Sequence, residues 1–370
     1  MNSNLDIYME NQLYLSAPCF VLDEEKLYFS NRSCNALVIV DRETWNVESM
    51  VPFVEEDLKA KGLHVYCHRQ GNKIYFLPEG KKKLHVYDVE SGEQRAYTLE
   101  GEYEGSQAAP WYIHVYQDKL FLLPCGGKMG LWSLDFDGQL NKENWWEAQS
   151  KPYFFTHGDI DEQRFLSLNV LTSDLIITDL KNKESKTFKL PDEQVFQTVY
   201  DGQDFWYISG NNADIVKWNP EKGEVERYSF PIWDKCNPIG VPYLYIYAVG
   251  QEIFVVSGTQ KELFLLDKEK RILKQVFQLP EYLNIYNEIE MLPELTYFND
   301  KLIWTFRSVH GAAVIDLATM KGKMYQNVIP LNDKVRDCFD KILIQNAPLI
   351  NEVDDGWDLE RFLYYCENSI

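Results

Sequence analysis

The chain has 370 residues, with 37 Lys or Arg and 57 Asp or Glu, so its formal net charge is −20. Aromatic residues make up 14% of the sequence, which excludes an intrinsically disordered chain, because disorder requires few large apolar side chains. A surface of this charge repels polyanions, and we therefore expect no nucleic-acid partner.

The N-terminal segment lacks the pattern of a secretory signal, since residues 1–15 have neither a basic start nor a long apolar run. No later stretch approaches the roughly 18 apolar residues of a membrane helix. The seven cysteines are odd in number and include no Cys-x-x-Cys pair, which favours buried thiols over disulfides or a zinc site. These features predict a cytoplasmic protein with no membrane contact, no metal and no cofactor.

A short apolar run recurs seven times along the chain, at intervals of 40 to 49 residues. The first apolar residues of these runs are Leu27, Ile74, Leu120, Phe165, Phe205, Ile253 and Leu302. A second run ends in an acid or its amide 14 or 15 positions further on, at Asp41, Asp88, Asp135, Asp179, Asn219, Asp267 and Asp316. Both anchors hold their spacing seven times, which indicates an internal repeat, and we interpret the acids as turn-forming residues.

Each repeat carries the signals of four antiparallel strands. In the second repeat, residues 63–67, 73–77, 84–87 and 94–99 are rich in β-formers and are separated by turn residues. Four strands at a period near 45 residues are typical of a β-propeller blade. The sequence therefore predicts an all-β, seven-bladed β-propeller of four-stranded blades over residues 1–329.

Residues 330–370 are predicted to form a C-terminal extension. Residues 341–344 and residues 7–15 are both candidates for a strand that helps to close the ring. Asp358 is a suitable N-cap for a short helix over residues 359–367, which either packs on the propeller or binds a partner.

The fifth repeat carries a resemblance to known propellers. Residues 205–224, FWYISGNNADIVKWNPEKGE, resemble repeats of streptogramin-lyase-like and NHL-type propellers. The resemblance covers residues 16–328 and implies a propeller fold, but a fold does not imply a function. Streptogramin lyases use a magnesium ion and a catalytic histidine, and this chain does not show their motif.

Ligands of propellers usually bind the loops between blades and between second and third strands. Aromatic candidates in or beside such loops are Trp111, Tyr112, Tyr153, Trp233 and Tyr243. The loops after five second strands are basic, with Arg32, Lys81, Lys82, Lys83, Lys128, Lys261 and Arg307. If these loops converge they favour an anionic ligand, with Arg32 and Lys128 as binding residues; the alternative is ordinary solvated turns.

Histidines on predicted first strands complete the candidate site. His64 and His114 are candidates to bind ligand; the alternative is that each is a single histidine satisfied by its own hydrogen bonds. A metal site would need three or four such ligands. For an enzyme, the acid–base candidates are His157, Asp159, Arg307 and His310.

The leading prediction is a cytoplasmic binding or scaffolding propeller. It would present a loop-rich, aromatic and locally basic face to a peptide, a protein or an anionic carbohydrate-type ligand. The alternative is a propeller enzyme, a lyase or hydrolase, and a third hypothesis is an anion-sensing module. The sequence does not indicate the oligomeric state.

Overall fold

The structure is a computed structural model of the 370-residue chain. It describes residues 12–14, 19–31, 35–44, 47–57, 60, 62–78, 83–99, 110–125, 130–146, 155–210, 214–230, 244–257, 262–278, 294–298, 300–305, 311–326 and 328–330. Within these ranges the regular structure consists of β-strands, and none of it is a helix long and apolar enough to cross a membrane.

The strands of the first three repeats, with an N-terminal neighbour, are β1 (Gln12–Tyr14), β2 (Phe20–Leu22), β3 (Lys26–Ser30), β4 (Leu37–Asp41), β5 (Val47–Val51), β6 (His64–Gln70), β7 (Lys73–Pro78), β8 (Lys83–Asp88), β9 (Gln94–Thr98), β10 (Pro110–Tyr116), β11 (Lys119–Pro124), β12 (Leu131–Asp135) and β13 (Leu140–Glu143). Those of the next two repeats are β14 (Phe155–Asp159), β15 (Arg164–Asn169), β16 (Asp174–Asp179), β17 (Glu184–Lys189), β18 (Thr198–Tyr200), β19 (Phe205–Ile208), β20 (Ile215–Asn219) and β21 (Glu224–Tyr228). The last strands are β22 (Leu244–Val249), β23 (Glu252–Ser257), β24 (Glu262–Asp267), β25 (Ile272–Gln278), β26 (Glu294–Phe298), β27 (Lys301–Thr305), β28 (Gly311–Asp316), β29 (Lys321–Gln326) and β30 (Val328–Pro330).

These strands form seven four-stranded antiparallel sheets, and in each sheet the strands follow chain order. We number the sheets as blades: blade 1 is β2–β5, blade 2 is β6–β9, blade 3 is β10–β13, blade 4 is β14–β17, blade 5 is β18–β21, blade 6 is β22–β25 and blade 7 is β26–β29. The predicted all-β, seven-bladed propeller is therefore confirmed.

Two terminal segments pair outside the blades. β1 lies antiparallel to β30, with Leu13 opposite Ile329. The candidate closing segment at residues 7–15 thus does supply a strand, at residues 12–14. The other candidate, residues 341–344, and the predicted helix at residues 359–367 lie outside the described residues.

The strands divide between two compact units. The first unit holds blades 1 and 2 and the β1–β30 pair, and the second holds blades 3 to 7. In the first unit, Tyr28 and Ile39 of blade 1 pack against Leu63 and Phe76 of blade 2. In the second unit, four comparable clusters join successive blades. Within each unit, successive sheets thus pack against each other through apolar side chains. Each fully buried Leu, Ile or Phe in these clusters contributes roughly 1.5–3 kcal/mol to the stability of the fold.

The register explains the two anchors of the sequence repeat. In five blades a basic residue at the start of the second strand lies opposite the acid that ends the third strand, as in Lys26–Asp41, Lys73–Asp88, Lys119–Asp135, Arg164–Asp179 and Lys301–Asp316. Both anchors therefore belong to one hairpin. Opposite charges facing each other across an antiparallel pair stabilise that register.

The acids at the second anchor form turns, as the sequence predicts. In six repeats a side-chain oxygen accepts a backbone N–H two or three residues further on; Asp41 Oδ1 lies 2.6 Å from Thr44 N and Asp267 Oδ1 lies 2.9 Å from Lys270 N. The other four are Asp88, Asp179, Asn219 and Asp316. These bonds fix the turn that leads into the outer strand.

Candidate functional site

A relay of hydrogen bonds in the first unit joins blade 1 to blade 2. Ser30 Oγ, at the end of β3, lies 2.7 Å from His64 Nδ1 at the start of β6. His64 Nε2 lies 2.9 Å from Nδ1 of His85 on β8, and His85 Nε2 lies 3.0 Å from the carbonyl oxygen of Val54. Ser30, His64 and His85 are all buried. His64, a predicted ligand-binding residue, therefore contacts protein groups at both ring nitrogens.

The Val54 carbonyl at the end of this relay determines which ring nitrogens of His85 and His64 carry a hydrogen. A carbonyl oxygen only accepts, so His85 Nε2–H donates to Val54 and, in the neutral ring, His85 Nδ1 accepts from His64 Nε2–H. His64 Nδ1 is then an acceptor, and the Ser30 hydroxyl donates to it. Burial lowers the pKa of His85 to about 4, and burial together with His85 lowers the pKa of His64, so both rings are neutral at pH 7.

His114 and Asp159, two candidate residues, contact each other between blades 3 and 4. His114 Nδ1, on β10, lies 2.6 Å from Asp159 Oδ1 at the end of β14. His114 Nε2 lies 3.1 Å from the carbonyl oxygen of Glu162, in the turn before β15. The His114 ring is buried, whereas the Asp159 side chain is 60% exposed. A carboxylate and a carbonyl both accept, so both ring nitrogens of His114 face acceptors.

The contact of His114 with Asp159 yields a stability prediction. We expect Asp159→Asn to lower the free energy of unfolding by about 1 kcal/mol, because solvent screens a carboxylate this exposed. Glu162→Gln is the matched control, since it removes the same charge three positions further along the chain and only the Glu162 carbonyl meets His114. We expect a change within about 0.5 kcal/mol. Urea unfolding of both variants measures the difference, and equal losses would show that charge alone matters.

His157, the predicted acid–base residue, also bonds across blades 3 and 4. Its Nε2 donates to the carbonyl oxygen of Pro124, at the end of β11, over 2.8 Å. Its Nδ1 lies 2.8 Å from Oγ of Ser167, which stands opposite it on β15. Burial lowers the pKa of His157 to about 4, although the Pro124 and Leu166 carbonyls oppose that shift. His157 and Asp159 are near neighbours on β14, and each contacts a group of blade 3.

The remaining predicted site residues are placed only in part. Tyr112 lies on β10 in the apolar cluster of blades 3 and 4, and its ring centroid is 6.2 Å from that of His157. Trp111 belongs to β10. Arg32, Lys128, Tyr153, Trp233, Tyr243, Arg307 and His310 lie outside the described residues, so their predicted roles stay predictions.

One member of the predicted basic set is described, and it is paired. Lys83 Nζ lies 2.5 Å from the carbonyl oxygen of Glu55 and 3.4 Å from its carboxylate. In the described part of the chain, no group of three His, Cys, Asp or Glu residues is arranged to hold a metal ion.

A recurrent aspartate that sequence analysis missed anchors the turn between first and second strands. Asp201 Oδ1 accepts the backbone N–H of Asp204, while Oδ2 lies 2.7 Å from both Trp206 Nε1 and Lys268 Nζ of blade 6. Asp23 has the same role in blade 1. Its Oδ1 accepts the backbone N–H of Lys26, and its Oδ2 lies 2.6 Å from Arg69 Nη1 of blade 2. The available signal was an aspartate four positions before the first anchor of the repeat, as Asp23 precedes Leu27 and Asp201 precedes Phe205.

Comparison with known proteins establishes the fold. No family model and no curated protein matches the chain. Among solved structures, PorZ, a surface component of the type-IX secretion system of Porphyromonas gingivalis, is 13% identical, with a TM-score of 0.53 over 85% of this chain and 39% of that one. The chain is similar in structure to known β-propellers.

Two further structures support that fold. The WD40 repeats of RRP9 are 9% identical, with a TM-score of 0.53 over 79% of this chain and 87% of theirs. The extracellular domain of BT3049, a putative hybrid two-component system of B. thetaiotaomicron, is 12% identical, with a TM-score of 0.51 over 83% of this chain and 40% of that one. This chain thus spans well under half the length of PorZ and of the BT3049 domain.

Proposed function

We propose that this chain is a binding or scaffolding β-propeller whose blades form a rigid frame and whose loops contact a peptide, a protein or an anionic carbohydrate-type ligand. The observation that carries the proposal is that the polar side chains between blades form hydrogen bonds with other groups of the protein. Both ring nitrogens of His64, His85, His114 and His157 meet protein groups. Such bonds hold blades together, which leaves recognition to the loops.

Two lines of support accompany that observation. The WD40 repeats of RRP9 share the propeller fold, a repeat architecture in which loops on one face often form the binding surface. The thiols of Cys19, Cys67 and Cys125 are buried, as expected for a protein of the reducing cytoplasm, where we propose that it acts.

The anionic form of the proposal rests on the basic loops and can be tested by charge reversal. We expect the double variant Lys128→Glu/Arg307→Glu to bind a fluorescent sulfated hexasaccharide at least about tenfold more weakly than the wild type. Lys181→Glu/Lys222→Glu is the matched control, because it makes the same change in net charge in exposed turns between third and fourth strands. Fluorescence anisotropy gives both dissociation constants.

The outcomes distinguish a specific binding site at the basic loops from a general effect of the net charge of the protein. Equal weakening by both double variants would show that net charge, and not the basic loops, governs binding. If the wild-type protein does not bind the hexasaccharide, the anionic-carbohydrate ligand is wrong, and screening of a displayed peptide library tests the peptide ligand.

A further inference from the structure

The segment that joins blade 1 to blade 2 is held by side chains along its length. We call residues 52–57 the strap. Its carbonyl oxygens accept hydrogen bonds from four side chains: Gln94 to Pro52 (3.0 Å), Asn35 to Phe53 (3.3 Å) and Asp57 (3.2 Å), His85 to Val54 (3.0 Å) and Lys83 to Glu55 (2.5 Å). Asn35 Oδ1 also accepts the Phe53 N–H over 2.9 Å. Side chains therefore supply donors that another strand would otherwise provide.

Phe53 of the strap covers the two histidines of the relay. Its ring centroid lies 4.4 Å from that of His64 and 5.2 Å from that of His85, and the ring is 2% exposed. It also packs edge-on against Phe76, with the ring centroids 5.2 Å apart. Lifting the strap removes Phe53 from both imidazoles and breaks the His85–Val54 bond, so the rings of His64 and His85 become accessible to water together.

The closed strap disfavours a proton on either ring, for different reasons. A proton added at His85 Nδ1 would face the His64 Nε2–H donor. A proton added at His64 Nδ1 could be accepted by the Ser30 hydroxyl, so it is opposed by the complete burial of the charged ring. The charged groups that face these rings are Lys83 of β8, which disfavours a proton on His85, and Glu55 of the strap, which favours one. Ser30 of β3 and Phe76 of β7 add no charge.

We propose that the Ser30–His64–His85 relay is an acid-sensitive latch, which holds the strap down at neutral pH and releases it when the surroundings become acidic. The strap displays Val54, which is 37% exposed, beside the exposed Glu55, so its release changes the surface that blade 1 and blade 2 present. The low pKa values of both rings support this direction. The proposal concerns the protein without ligand and stands independently of the proposed function.

Hydrogen exchange of the full chain tests the latch. At each pH, the exchange of the strap is measured by mass spectrometry relative to the intrinsic exchange rate. As the pH falls from about 6.5 to about 4, the opening constant of the strap should rise about tenfold per pH unit for each histidine that becomes accessible to water. The internal control is Ser209, whose N–H bonds the carbonyl of Asp214 in blade 5, a blade without histidine. Its opening constant should stay below that of the strap at every pH in this range, because only the strap opens locally.

Two variants sharpen the test. His85→Gln removes one titrating group, so the strap should open more at neutral pH and its pH slope should fall by one proton. His157→Gln, in the second unit, should leave the slope of the strap unchanged. The proposal is overturned if the opening of wild-type strap amides is independent of pH, or if the strap and Ser209 have the same opening constant, which would show that the strap opens only by global unfolding. The wild-type series decides this even if neither variant folds.

Discussion

Replacing Asp201 with Ala is expected to lower the free energy of unfolding by about 3–5 kcal/mol, since it removes the acceptor of the buried Trp206 indole and Asp204 N–H and the partner of the partly buried Lys268 ammonium. Asp201 is 6% exposed and accepts bonds from the Lys268 ammonium, the Trp206 indole and two backbone N–H groups. Burial raises its pKa, but the bonds from Lys268, Asp204 and Gln203 outweigh burial and hold the pKa below its usual value. The Lys268 ammonium also lies 4.8 Å above the Trp206 ring.

Urea unfolding measures this loss, with Asp137→Ala as the control. Asp137 is exposed in the turn between β12 and β13, and its removal should change stability by less than about 0.5 kcal/mol. A loss below about 1 kcal/mol for Asp201→Ala would mean that water replaces the carboxylate at little cost, and that this cluster does not join blades 5 and 6 as we infer.

The second large effect is a loss of stability on mild acidification. His85 has a pKa of about 4 in the folded chain and about 6.5 when unfolded, so between these values the unfolded chain binds more protons. Its contribution is therefore present above pH 6.5, falls as pH drops and is lost by about pH 4, a total of about 3 kcal/mol. His64 and His157 shift in the same direction and add to the loss.

This window is separate from ordinary acid denaturation. Carboxylates with lowered pKa, such as Asp267 at about 2, lose their contribution only as pH falls below about 4. Urea unfolding at a series of pH values measures the profile of the intact protein. His85→Gln should be less stable at neutral pH but should flatten the profile by about 1.4 kcal/mol per pH unit. A wild-type profile that is flat between about pH 6.5 and 4.5 contradicts buried neutral rings.

The repeat was predictable from the sequence because its signal is local. In five blades the residue before the first anchor faces the acid of the second anchor in one hairpin, as Lys26 and Asp41 do. Their spacing is therefore set by the lengths of two strands and one loop, and seven copies repeat it. The turn-forming role of these acids follows from the same local geometry.

The contacts between blades were not predictable in this way. Ser30 and His64 are 34 positions apart, and Asp201 and Lys268 are 67 apart. The histidines on first strands follow no period either, since His64, His114 and His157 stand 10, 6 and 8 positions before their anchors. In the sequence alone, polar residues whose partners are distant and follow no period resemble ligand-binding or catalytic residues. Their partners appear only when neighbouring sheets are packed.

Polar side chains hold the blades together in fixed protonation states, and nitrogen NMR of the imidazoles tests this most directly. With only six histidines, selective ¹⁵N labelling resolves the ring nitrogens of the intact chain. We predict that His64 and His85 are neutral at pH 7, each with its hydrogen on Nε2, and that neither titrates near 6.5. Imidazolium signals, hydrogen on Nδ1, or titration of both rings near their unperturbed value of about 6.5 would contradict the account.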